Sequence, residues 1–389
     1  FKQKTAYEIG VRLVGSEMCI RDRLSEEKDF VVDEKFKNIN LTEEGIRKVE
    51  VKLNINNLYD IENSEITHFV ENALKAAFDW KVRKNIQKGR GEIGSKVLHF
   101  EKCFHGRSGY TLSLTDSPDP RKVKYFPKFD WPRIENPYLS YPITADIIEN
   151  VIKKEQIAIN QIKDALTKNK DDIAGLIIEP IQGEGGDNFF RCQFLQMLRD
   201  LANENEFLLI YDEVQTGIGI TGKMWAHQHF SIGTCTNNCK CSDRLTAKPD
   251  IIAFGKKTQV CGVAASTRFD DVEGNVFRES SRINSTWGGS LVDMVRLTIY
   301  LELIEKENLV EKAAETGLFL KQRLHDLQNE FPNLVSNARG KGLYCAFDLP
   351  SSEDRDKLAN LLLDDCLLYT SDSADDMKCV DLGGRRIIK

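Results

Sequence analysis

The chain has 389 residues, 41% of them hydrophobic and 29% charged, which is enough apolar material for one large core or two smaller ones. Its 54 basic and 60 acidic residues leave a net charge of −6 with no basic stripe, which argues against nucleic acid as a partner. No apolar run approaches the roughly 18 residues needed to cross a bilayer and no signal-peptide pattern is present, so no membrane partner is expected and the expected compartment is the cytoplasm.

In chain order, residues 1–23 come first. The stretch 7–23 (YEIGVRLVGSEMCIRDR), like 366–389 (CLLYTSDSADDMKCVDLGGRRIIK), resembles translated sequencing-adapter read-through. Both tails are expected to be non-native and to make few core contacts. Residues 24–70 follow. The alternation in FVVDEKFKNINL suits a β-hairpin, and Thr42 can cap a helix beginning at Glu43. The words DFVVDE, NLTEEGIRKVE and NLYDIENSEITHFVENALKA are similar to the part of the SecA preprotein-translocase ATPase that contacts preproteins. No G-x-x-x-x-G-K-[ST] occurs in the chain, which excludes a P-loop and translocase chemistry. The word VENALKA at 70–76 fits this segment and the next one equally, and no Gly-, Pro- or Ser-rich linker parts them. A chimeric junction is therefore expected there rather than a natural fusion.

From Glu71 onward helical and strand patterns alternate. Gly89, Gly91 and Gly94 spell G-x-G-x-x-G, but they follow a helical stretch and precede the strand-like VLHF, the reverse of a dinucleotide fingerprint. Apolar strands are predicted at 174–178, 207–211 and 251–254. Between the first two, Phe190, Phe194, Leu195, Leu198 and Leu201 fall at helical spacing, which predicts a β-α-β unit and a parallel pair. In an open α/β sheet of this kind ligands sit beyond the carboxyl ends of the strands. Those ends carry Glu179 and Glu184 in EPIQGEGG, Asp212 and Gln215 in YDEVQTG, and Lys256 in AFGKKTQVCG. Each of them alone reads more readily as a member of a structural ion pair.

Together, and in this order, the motifs resemble class III aminotransferases of fold type I over residues 71–365. The resemblance implies an α/β fold with an incomplete large domain, a mainly parallel sheet over 71–290, and a truncated small C-terminal domain over 291–365. It also implies pyridoxal 5'-phosphate as cofactor, which acts as an electron sink when an acid stabilises its protonated ring nitrogen. Asp212 matches that acid. Lys256 matches the lysine that holds the aldehyde as a Schiff base, with Lys257 as the alternative, since adjacent residues cannot both face the ring. In CFHGRSGYTLS, Phe104 and His105 stand at the stacking position and Arg107 resembles the arginine that grips the substrate α-carboxylate. Gln215 matches a residue near the cofactor's 3-hydroxyl. Asn284 and Thr286 in INSTWGGS resemble a motif whose threonine reaches the cofactor phosphate of a neighbouring subunit, so a homodimer is expected.

The words KKTQVCG, FDWPRI and INSTWGG select the branch that transfers the ε-amino group of L-lysine to 2-oxoglutarate. Glu184 there resembles a movable acid that neutralises a carboxylate-binding arginine. Ornithine or 4-aminobutyrate is the alternative donor, and a SecA-like preprotein-binding module is the alternative of a different class. In the family the helix near Glu71 is preceded by a small-residue loop that holds the cofactor phosphate. Ser64 and Glu65 do not reproduce it, and Glu65 and Glu71 are expected to repel a phosphate. The chain as written is therefore expected to hold the cofactor weakly and to turn over little. The ten cysteines are scattered in the manner of reduced thiols. Cys235, Cys239 and Cys241, with His227 and His229 nearby, lack paired C-x-x-C spacing, so a surface loop is expected and no metal.

Overall fold

The computed structural model describes the backbone of residues 30–33 and 38–41, and residues 67–230, 247–279, 282–283 and 291–364. The first two pieces, β1 (Phe30–Asp33) and β2 (Asn38–Leu41), pair antiparallel with Phe30 opposite Leu41, the hairpin that the alternation predicts. Both tails, the helix expected after Thr42, and Ser64 and Glu65 lie outside the described residues.

The main body is a six-stranded sheet in the order β4-β3-β5-β6-β7-β8. Its strands are β3 (Lys96–Phe100), β4 (Arg133–Ile134), β5 (Ile173–Ile178), β6 (Leu208–Asp212), β7 (Ile251–Phe254) and β8 (Gly262–Ala265). The first five run parallel, and β8 returns antiparallel to β7. The predicted β-α-β unit is present: β5 leads through α4 (Cys192–Glu204) to β6, with Ile178 beside Tyr211. Phe190, expected on that helix, instead lies just before it and packs into the same core.

Successive side chains of a strand point to opposite faces, and that alternation divides the core. Leu176, Ile178, Leu209 and Tyr211 face α4 and α3 (Ala145–Lys168), meeting Ala158, Ile162, Phe194 and Leu198. Ile177, Ile210, Ile251 and Ala253 face α1 (Thr67–Gln87). Phe69, Val70, Ala73, Leu74, Ala76, Ala77 and Trp80 recur on that helix at three- and four-residue spacing and are all buried. Because every central strand is covered on both faces, these strands read as continuous apolar runs, as parallel sheets require.

The glycine decoy lies between α1 and β3. Gly94 has φ 137°, and a Cβ there would meet the Lys81 side chain at 2.7 Å, so this glycine serves close packing in a turn. Beyond the sheet come α5 (Leu291–Lys306), α6 (Leu309–Glu330), the antiparallel pair β9 (Ser336–Lys341) and β10 (Tyr344–Asp348), and α7 (Ser352–Asp364). Arg339 on β9 is buried and donates to the Gly186 carbonyl at 2.6 Å and the Asp187 carbonyl at 2.9 Å, which ties this smaller part to the loop after β5.

Candidate active site

The carboxyl ends of β3, β5, β6 and β7 open onto one cavity of about 350 Å³. Phe104, His105 and Arg107 reach it from the loop after β3, Glu179 from the end of β5, Asp212, Val214 and Gln215 from the end of β6, and Lys256 from the turn after β7. Its volume falls in the range of small-molecule sites.

Asp212 closes the floor and is buried. Its Oδ2 lies 2.8 Å from His105 Nδ1, and its Oδ1 accepts the Val214 N–H at 3.1 Å. Burial opposes a charge on His105, but the neighbouring Cys103 and the hydrogen bond to Asp212 outweigh it and hold the imidazole well above its ordinary pKa. The His105 N–H donates to Thr115 Oγ1 at 3.0 Å, and that hydroxyl donates to the Gly106 carbonyl at 2.7 Å, which fixes the loop's path. Phe104 and His105, the residues at the expected stacking position, both line the cavity, and His105 is bonded to Asp212 through Nδ1 at the edge of its ring.

Lys256 begins a short 3-10 turn, Lys256–Thr258, with φ 20°, a backbone region that L-residues rarely adopt. Gly255 before it lies so close to Cys261 that a Cβ would overlap the sulfur. The two adjacent lysines diverge. The Lys256 side chain lines the cavity with Asp212, whereas the Lys257 ammonium donates to the main-chain carbonyl of Gln215.

Arg107 is exposed and reaches the cavity wall. Glu184, expected to neutralise an arginine, instead accepts from Ser117 Oγ at 2.6 Å and from Lys122 Nζ at 3.1 Å. Lys122, whose ammonium lies 5.6 Å from the centre of the Phe104 ring, is a second cation on the cavity wall that the sequence motifs did not indicate. Glu71, expected to repel a phosphate, has other partners: its carboxylate accepts the Tyr110 and Thr111 N–H groups at 3.2 and 3.0 Å, at the start of α2 (Gly109–Leu114). Asn284, Thr286, Cys235, Cys239 and Cys241 lie outside the described residues. His227 and His229 are held by Glu213 and by Thr221 respectively, and among the described residues no group of three or more His, Cys, Asp and Glu is placed to hold a metal. No helix among those residues is long and apolar enough to cross a membrane.

Residues 67–374 match the family described as aminotransferase class III. The chain belongs to the class III aminotransferases. Members of this family work with pyridoxal 5'-phosphate. Residues 13–85 match the SecA preprotein cross-linking domain, so the two matches overlap on α1, and together they run wider than the boundaries expected from the sequence. The chain is 47% identical over 310 residues to the L-lysine-epsilon aminotransferase of Mycobacterium tuberculosis, covering 79% of this chain and 65% of that protein. Against the protein of the same name from Amycolatopsis lactamdurans it is 48% identical over 287 residues, with 74% and 60% covered. The chain thus spans less than two thirds of the length of these curated relatives. Among solved structures, the lysine aminotransferase from M. tuberculosis in the internal aldimine form superposes with a TM-score of 0.72 at 39% identity, covering 86% of this chain and 84% of that one. The ornithine aminotransferase of Toxoplasma gondii, 21% identical with a TM-score of 0.62, shares the fold.

The cavity's side chains suit the family's cofactor: a buried acid on the floor, a lysine beside it, an aromatic wall, an aliphatic Val214, and two cations in Arg107 and Lys122.

Proposed function

We propose that residues 71–365 carry the active-site part of a transferase that moves the ε-amino group of L-lysine to 2-oxoglutarate. On this reading the enzyme is a cytoplasmic homodimer, and the segments around 71–365 are foreign to it. The observation that carries the proposal is the convergence of Asp212, Lys256, Phe104 and Arg107 on one cavity from three separate loops. The L-lysine-epsilon relatives at 47–48% identity support lysine over 4-aminobutyrate, whose transaminase from Dictyostelium discoideum is 36% identical.

When bound, pyridoxal phosphate supplies the electron sink that acidifies the amine-bearing carbon of the donor. Asp212 would hold a proton at the ring nitrogen, and its two oxygens are already oriented by His105 and the Val214 N–H. Lys256 Nζ would anchor the cofactor and then take up the proton leaving the donor carbon. Phe104 and Val214 offer apolar surface to a flat ring. Arg107 would fix the α-carboxylate through a paired contact, leaving the ε-amine of an extended lysine nearest Lys256. Lys122, satisfied by Glu184 when no second carboxylate is present, adds positive charge on the same wall.

The test is amino transfer from lysine labelled with 15N at either the ε or the α position. It is run on the chain as it stands and on a hybrid in which the segments flanking 71–365 come from the Amycolatopsis relative. The hybrid is expected to pass the ε label to glutamate and retain the α label, and the chain as it stands to be slower by roughly 100-fold. Transfer of the α label, or faster turnover with ornithine or 4-aminobutyrate, contradicts the proposal.

A further inference from the structure

Glu179 has no role in the scheme above, yet it is 4% exposed and its carboxylate lies between two of the loops that build the cavity. Its Oε1 accepts the Phe104 N–H at 2.9 Å, from the loop after β3. Its Oε2 accepts the Gly183 N–H at 3.0 Å, from the loop after β5 that also carries Glu184. We infer that Glu179 is a positioning residue, a buried carboxylate that joins the Phe104–His105 loop to the Gly183–Glu184 loop and so sets where the aromatic wall stands over Asp212.

The chemistry requires an acid at this position. Both partners are N–H donors, and a carboxylate presents two acceptors to them. The isosteric amide of glutamine presents one acceptor and one NH2, so one of the two loops would face donor against donor. A buried N–H left without an acceptor forfeits its desolvation free energy, which exceeds the net gain of an ordinary hydrogen bond. The next residue, His105, is fastened by its main-chain N–H to Thr115 and by its ring to Asp212, so release at Phe104 leaves that residue hinged on His105. Glu179 also faces His105 and Asp212 electrostatically, which places two acids beside one imidazole.

The inference rests on the cavity being the cofactor site, but its test does not depend on activity. In the full-length chain, amide hydrogen exchange is followed at Phe104 and Gly183 in the parent and in Glu179→Gln, with Leu176 and Leu209 of the sheet as controls. One of the two loop amides is expected to exchange at least about tenfold faster in the variant while the controls hold. The His105 imidazole, followed by NMR in the cofactor-free chain, is expected to titrate lower once the neighbouring carboxylate is gone. Pyridoxal phosphate is expected to bind at least about tenfold more weakly. Glu179→Asp, which keeps the charge with a shorter reach, is expected to retain the His105 titration and lose protection at one loop, and it serves if the glutamine variant does not fold. Unchanged exchange at both loop amides, or an unchanged His105 titration in Glu179→Gln, overturns the inference. A parent chain that binds no pyridoxal phosphate, with the exchange and titration results as expected, would sink the proposed function and leave Glu179 as the clamp between the loops.

Discussion

Four buried titratable residues set an unusual acid response. Burial, reinforced at His99 by Arg133 and at His229 by Lys341, lowers those imidazoles from 6.5 to about 3 and about 4. Burial likewise raises Glu155 and Glu179 from 4.5 to about 7, against the opposing effects of Arg191 and His105. The native state therefore binds fewer protons than the unfolded chain at the two histidines below pH 6.5, so their contribution to stability is lost as pH falls. It binds more protons at the two glutamates between 4.5 and 7, so theirs is lost as pH rises. Between 4.5 and 6.5 the two slopes oppose each other. Thermal unfolding should accordingly show a midpoint nearly independent of pH from 4.5 to 6.5 and a steep fall below 4.5, where of these four groups only the histidines still differ and where Glu206, lowered to about 2 by Lys88 and Arg90, adds to the loss. A midpoint rising continuously from 4.5 to 6.5 would show that Glu155 and Glu179 titrate in their ordinary range. None of these shifts was legible in the chain, because each depends on neighbours such as Arg133 for His99 and Arg191 for Glu155 that are brought near by folding. The same holds for Lys122, which has no motif around it and gains its place through Glu184, 62 residues away.

At the scale of elements, α1 and α2 are joined by an edge-on contact of the Phe78 and Tyr110 rings and by one carboxylate. Glu71 extends from the first turns of α1 and accepts two N–H groups at the start of α2, with Ser108 Oγ 3.3 Å away. Amides at a helix start have no acceptor within the helix, and here a carboxylate from another helix supplies one. Glu71→Ala leaves buried donors unsatisfied and should destabilise the chain by about 1–3 kcal/mol, read as a lower urea midpoint with unchanged slope. A midpoint equal to the parent's would mean that water replaces the carboxylate. The strands were well marked in sequence because doubly covered strands are uninterrupted apolar runs: 251–254 coincides with β7, and 174–178 and 207–211 differ from β5 and β6 by one residue at their ends. By contrast, the two-residue β4 is too short to carry a pattern, β8 (Gly-Val-Ala-Ala) lacks the bulky apolar side chains of the equally long β7, and the antiparallel direction of β8 belongs to its pairing with β7. The contact of Glu71 with α2 was hidden for the same reason as Lys122's: it links residues 39 and 40 positions apart.

Over the whole molecule, the sheet gathers four loops at one end, and Arg339 ties the smaller part to one of them. The identities of Asp212, Lys256, Phe104 and Arg107 were legible as words of sequence, whereas their convergence belongs to the order of the strands. Sequence alone leaves Lys257 as an alternative to Lys256; in the structure Lys256 lines the cavity, whereas the Lys257 ammonium donates to the Gln215 carbonyl. The central claim is that this cavity holds pyridoxal phosphate on Lys256. It is tested most directly by adding the cofactor to the full chain, fixing the adduct with borohydride and locating the added mass by peptide mapping. The account predicts the label on Lys256, its loss in Lys256→Ala and its retention in Lys257→Ala. A label on Lys257, or one that survives Lys256→Ala unchanged, would contradict it.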